Sequence, residues 1–93
     1  MIHEAGARHV PTVAVFCDGG SRGNPGPAAI GAVVLDPSVE PPVVLASVSE
    51  TIGVATNNVA EYKALIAGLQ AALAFTPNTV LVRADSELLI RQL

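Results

Sequence analysis

Residues 12–28, Thr12-Val13-Ala14-Val15-Phe16-Cys17-Asp18-Gly19-Gly20-Ser21-Arg22-Gly23-Asn24-Pro25-Gly26-Pro27-Ala28, decide how the rest of the chain is read. The run Thr12–Cys17 is short, apolar and rich in β-formers, as a buried strand should be, and Asp18-Gly19-Gly20 stops it. Ser21 to Pro27 is dense in turn formers. The loop fits neither G-x-x-x-x-G-K-[ST] nor G-x-G-x-x-G, which excludes nucleotide loops of those two types. It also lacks the second Asp that an aspartyl-phosphate phosphatase would need. What remains is an acid at a strand end beside a Gly-rich turn.

Moving outward, Ala29–Leu35 reads as a second strand, and Asp36-Pro37-Ser38 with Pro41-Pro42 brackets a turn. Val43 to about Ile52 alternates Val44, Ala46 and Val48 against Leu45, Ser47 and Ser49, a third strand. Such short connections favour antiparallel neighbours. The period then changes. Tyr62, Leu65, Ile66, Leu69 and Leu73 recur at helical spacing, and the alanines among them raise the intrinsic propensity. Asn58 is predicted as the N-cap, with Glu61 at capping-box distance, and Thr76-Pro77-Asn78 ends the helix. Thr79–Ala84 is a fourth strand, and Ser86 can cap a second helix from near Glu87 to Leu93. The reading is a mixed α/β fold: three antiparallel strands, a helix, a strand parallel to one of the first three, and a helix. Residues 1–11 are expected to be a loose leader ahead of a domain at 12–93. Leu88, Leu89, Ile90 and Leu93 form an apolar stripe with nothing after it to cover it, so the chain reads as stopping in mid-helix.

A chain of 93 residues holds one domain. With 51% apolar residues and a mean hydropathy of +0.51 it has ample surface to bury, which excludes disorder. Five Lys and Arg against eight Asp and Glu exclude a nucleic-acid binder driven by positive charge, but not an enzyme that grips nucleic acid through metal ions and backbone groups. A single cysteine points to a reducing compartment. No run approaches the ~18 apolar residues of a membrane span, so a cytoplasmic protein is expected.

Three acids carry the chemistry: Asp18, Glu61 and Asp85. Asp18 and Asp85 each follow an apolar strand. If those strands are parallel neighbours ~4.8 Å apart, both acids lie at the sheet edge where α/β proteins bind ligands. Glu61 sits in the first turn of a helix that could start beside them. Carboxylates gathered so closely repel unless a cation joins them, and oxygen donors select Mg²⁺ or Mn²⁺. Each acid alone has a plainer reading, a turn residue for the aspartates and a capping acid for Glu61. Cys17 and Tyr62 read as core residues, and His3, Glu4 and His9 as a solvated tail.

Taken in order, Asp18-Gly-Gly-Ser-Arg-Gly-Asn-Pro-Gly-Pro-Ala28, Thr56-Asn-Asn-Val-Ala-Glu-Tyr62 and Ala84-Asp-Ser-Glu87 closely resemble the motifs of the type 1 ribonuclease H family. The first two motifs are long and specific, the third is short, and the resemblance covers residues 12–93. It implies a ribonuclease H-like fold and a metal-dependent endonuclease that hydrolyses the RNA strand of RNA–DNA hybrids with two Mg²⁺ ions. By the same resemblance Asp18 bridges the metals, Glu61 ligates one, and Asp85 ligates a metal and helps place the attacking water. Gly19, Gly20, Ser21, Asn24, Thr56, Asn57, Asn58 and Ser86 are the implied nucleic-acid contacts. The family's fourth carboxylate, its fifth strand and its basic, Trp-containing substrate handle have no counterpart before Leu93. The expectation is therefore the first portion of such a domain, inactive by itself as 93 residues, with room for fusion to a further domain. The alternative is a non-catalytic hybrid-binding fragment.

Overall fold

The run that opens the sequence argument becomes one interior strand and the start of the next in a five-stranded sheet. The computed structural model describes residues 2–4 and 8–83. In chain order the elements are β1 (Ile2–Glu4), β2 (Thr12–Ser21), β3 (Gly26–Asp36), β4 (Val43–Ala55), α1 (Asn57–Leu73) and β5 (Thr79–Arg83), and the sheet order is β1-β4-β3-β2-β5. Strands β2, β3 and β4 are antiparallel neighbours, and β5 runs parallel to β2, as the connection lengths predict. The predicted second helix and the apolar stripe at Leu88–Leu93 lie outside the described residues.

The strands run further than their apolar cores. β2 continues through the acid and the glycines, so Asp18 lies within the strand, opposite Gly31, rather than after it. The ladder closes into a short hairpin where the Arg22 amide donates to the Pro27 carbonyl at 2.8 Å. A Cβ on Gly26 would strike the Arg22 carbonyl, so this turn demands glycine. β4 reaches Ala55 through a register shift beside Ala28 and Ala29, where Gly53 takes a φ of +77°.

The leader is not loose throughout. Ile2–Glu4 pairs antiparallel with Ala46–Val48 of β4 and so forms the edge strand. A free sheet edge offers unpaired backbone groups to any segment within reach, whatever its side chains, so composition alone does not reveal such pairing. Further along, Val10 is buried and its amide donates to the Phe75 carbonyl at 2.9 Å.

The helix departs from expectation in two ways. Its N-cap is Thr56, whose Oγ1 accepts from the Val59 amide at 3.2 Å, so Asn58 lies inside the helix and Glu61 is not part of a capping box. Its buried face is also not the stripe of large residues. Ala60, Ala64, Gly68, Ala71 and Ala72 face the core, whereas Tyr62 and Leu73 are both 69% exposed and Ile66 and Leu69 are exposed too. Tyr62 is therefore a surface residue and not core. The reason is spacing: α1 lies so close to the sheet that a Cβ on Gly68 would come within 2.6 Å of Val15 Cγ1 and 3.3 Å of the Ala32 Cβ. Only a seam of small residues permits that approach. Val13, Val15 and Cys17 of β2, Ile30, Ala32 and Val34 of β3, Leu45 and Val48 of β4, and Phe75 after the helix complete the core.

Two substitutions separate the faces. Gly68→Val should destabilise the fold by about 2 kcal/mol or more, because overpacking at this seam outweighs any gain in helix propensity. Leu73→Ala, on an exposed position, should stay within roughly 0.5 kcal/mol. Denaturant unfolding of both variants checks this, and the opposite ranking would restore the large-residue stripe as the core.

Candidate metal centre and nucleic-acid rim

The backbones that carry Asp18 and Glu61 meet at Gly19, a residue of β2 that has no side chain. The Asp18 side chain lines a depression with Phe16, Gly31 and Ser47, and Glu61 lines another with Asn58 and Tyr62. Strand alternation places Val15 and Cys17 on the helix side, where both approach Gly68, and Gly19 follows them on that side. A Cβ on Gly19 would overlap the Ala60 carbonyl and lie 2.9 Å from the Glu61 amide nitrogen. The backbone of the first helical turns thus rests directly on the strand one residue past Asp18. Asp18 itself has the opposite parity and is half-buried, and Glu61 is exposed at the helix rim.

The third acid is approached through register. β2 and β5 are described as far as the pair Phe16↔Arg83, and Asp18 and Asp85 each lie two residues further along. Asp85 and Ser86 fall outside the described residues, and among the described residues no group of three His, Cys, Asp or Glu could hold an ion. The donors that are described are both carboxylates, the oxygen type that suits a hard divalent cation, and their backbones adjoin at Gly19. Cys17 does not join them. It is buried, its Sγ lies 3.8 Å from the Arg83 carbonyl oxygen, and burial, then the negative charge of Asp18, push its thiol pKa up. It stays a neutral core thiol, as predicted.

Of the residues predicted to touch nucleic acid, several that the structure describes have internal duties. Thr56 is the helix cap. The Asn57 Oδ1 accepts from the Ser21 amide at 2.8 Å and from the Ser21 hydroxyl at 3.1 Å. The Asn24 Oδ1 accepts from the Asn57 amide at 3.0 Å. Gly20 sits under the same amide group, its virtual Cβ 3.8 Å from the Asn57 Oδ1. Asn58 is exposed and shares a shallow depression with Glu61, Tyr62 and Leu65. Beside the hairpin an open groove of about 680 Å³ runs between Gly20, Ser21 and Arg22 and the Thr51–Val54 end of β4. Arg22 and Thr51 were not expected there. No spacing pattern reveals them, because their proximity depends on the register of β3 against β4. The link between Ser21 and Asn57, 36 residues apart, is equally invisible in the sequence.

Comparisons with known proteins identify the family. The RNase H family model matches residues 11–93. Ribonuclease HI of Halobacterium salinarum is 48% identical over 81 residues, 87% of this chain and 39% of that protein. The bifunctional protein Rv2228c of Mycobacterium tuberculosis is 49% identical over 81 residues, 87% of this chain and 22% of its own length. The crystal structure of RNase H1 from Halobacterium salinarum superposes with a TM-score of 0.72 at 47% identity, covering 87% of this chain and 59% of that one. LC11-RNase H1 in complex with an RNA/DNA hybrid gives 0.69 at 45% identity, covering 86% and 59%. The chain thus spans well under half the length of these curated relatives and about three fifths of the solved structures. Within that span fold, motif order and nearly half of the residues coincide: the chain belongs to the RNase H family and corresponds to its N-terminal portion.

Proposed function

We propose that the protein acts on RNA–DNA hybrids as a metal-dependent endonuclease that hydrolyses the RNA strand, with Asp18, Glu61 and Asp85 as the ligands of Mg²⁺, or of Mn²⁺ in its place. The observation that supports this reading is the seating of the Glu61 backbone against Gly19, the residue that follows Asp18 in β2. A relative of similar fold crystallised with an RNA/DNA hybrid supports the substrate class.

When bound, paired divalent ions supply an activated water and charge stabilisation for the leaving oxygen. The residues of this chain do the rest. The carboxylates hold the charge that attracts the cations, and their mutual repulsion is relieved only when cations bind. Asp18, inside a hydrogen-bonded strand, is the fixed member, and Glu61, on the helix rim, is the exposed one. A net charge of −3 leaves little electrostatic pull on a duplex, so selectivity has to come from short-range contacts. Gly20, Ser21, Asn24, Asn57 and Asn58 offer such contacts: small groups and amides that can reach 2′-hydroxyls in a wide minor groove. The alternative reading is a hybrid-binding module without catalysis. Cleavage separates the two, since a binding module would retain the hybrid uncut. No helix among the described residues is long and apolar enough to cross a membrane.

Asp18→Asn should abolish nearly all Mg²⁺-dependent hybrid cleavage while leaving the melting temperature in EDTA unchanged or raised, because the neutral amide removes like-charge repulsion. Glu61→Gln and Asp85→Asn should behave likewise. Cleavage assays paired with thermal melts check this, and wild-type turnover in Asp18→Asn would refute the assignment.

An all-DNA duplex of the same sequence should bind weakly and remain uncut, because it lacks the hydroxyls that the rim reads. Competition binding and cleavage with matched duplexes measure this, and equal cutting of both duplexes would contradict the proposed selectivity.

A further inference from the structure

The amides of Asn24 and Asn57 have a fixed orientation. A backbone N–H can donate only to the oxygen of a side-chain amide, so the Ser21 amide identifies the Asn57 Oδ1, and the Asn57 amide identifies the Asn24 Oδ1. The contacts form a chain. Asn24, in the hairpin, accepts from the first residue of α1, and that residue returns its own side chain to Ser21 at the end of β2. The Ser21 hydroxyl, with one proton to donate, lies within reach of both the Gly23 carbonyl and the Asn57 Oδ1, the former the nearer, which ties the hairpin to the same point. The result is a two-way clasp between the strand that carries Asp18 and the helix that carries Glu61.

Its leverage follows from position. Ser21 lies three residues past Asp18 on β2, and Asn57 four residues, about one helical turn, before Glu61 on α1. The Gly19 contact fixes how closely helix and strand approach, but backbone against backbone is a smooth bearing that leaves rotation and sliding open. The clasp removes that freedom at one end of the contact.

We propose that Ser21, Asn24 and Asn57 are positioning residues for the metal centre: their hydrogen-bonded clasp holds α1 in the register on β2 at which Asp18 and Glu61 share a cation. The proposal rests on the reading of those acids as metal ligands. It assigns the two asparagine oxygens to the protein itself, so that a bound duplex meets these side chains through their Nδ2 donors.

The test uses the 93-residue chain, ¹⁵N-labelled, with Mn²⁺ as the probe. In the parent, Mn²⁺ should broaden the amide signals of Gly19 and Glu61, and the amides of Ser21 and Asn57 should exchange slowly without metal. Ser21→Ala and Asn24→Ala should each speed exchange at these amides and weaken Mn²⁺ binding by about tenfold, the scale seen when groups supporting a metal ligand are removed. The double variant should be little worse than either single one, because the groups act as one unit. Ser21→Thr, which keeps the hydroxyl, should restore Mn²⁺ affinity. Faster exchange with unchanged Mn²⁺ affinity would overturn the proposal, since the clasp would then be structural only. Failure of Ser21→Thr to recover affinity would overturn it as well. If Asn24→Ala does not fold, the comparison of Ser21→Ala with Ser21→Thr decides alone. Absence of Mn²⁺ broadening at Gly19 and Glu61 in the parent would instead overturn the metal-site reading, and the proposal with it.

Discussion

Helix α1 can lie on β2 only because Gly19 and Gly68 present no side chains at the contact, and the rest of the structure follows from that approach. At Gly68 a single added carbon would meet Val15 and Ala32, and at Gly19 it would meet the backbone of Ala60 and Glu61. Along the helix Ala60, Ala64, Ala71 and Ala72 continue the seam. A helix held this close brings its own backbone, not the tips of long side chains, to the strand. That matters for an acid with a coordinating task, because the contact fixes how far from the strand its backbone stands.

The same approach explains how much of the molecule was legible in the sequence. Strand positions were readable because the apolar runs around Val15, Val34 and Val48 are short, β-branched and bounded by turn formers. That β5 runs parallel to one of the first three strands followed from the helix before it; that its partner is β2 came from the structure. The face of α1 was not readable. Hydrophobic periodicity gives weight to Leu, Ile and Tyr, whereas this interface selects for lack of volume, so Gly68 and four alanines hold the core positions. The cap was misplaced for a related reason: Thr56 and Asn58 are both good N-cap types, and only the accepted bond from Val59 chooses between them. The edge strand Ile2–Glu4 left no mark either, since pairing along a free edge is a property of the backbone. For the site, residue identities came from the motifs, and the seating of Glu61 against the strand that carries Asp18 came from the structure. The clasp of Ser21, Asn24 and Asn57 could not be anticipated, because motif resemblance presents those residues as contacts for a ligand rather than for one another.

Charge and geometry point in one direction. A net-acidic chain gains little from long-range attraction to a polyanion, so on the proposed function a duplex would be held by short-range hydrogen bonds and by cations at the acids. Small residues serve both needs. Glycines let backbones approach each other and a ligand, and amides supply donors and acceptors without adding charge. Arg22, at the mouth of the groove beside the hairpin, is placed to add one cationic contact there.

The central claim is that the close contact of α1 with β2 makes one cation site from Asp18 and Glu61. Anomalous scattering from crystals grown with Mn²⁺ tests it most directly. The account predicts a peak within coordination distance, about 2.0–2.2 Å as for similar small hard ions, of a carboxylate oxygen from each of Asp18 and Glu61. A well-ordered site with no peak between these two side chains, or with a peak bound by neither, would contradict it.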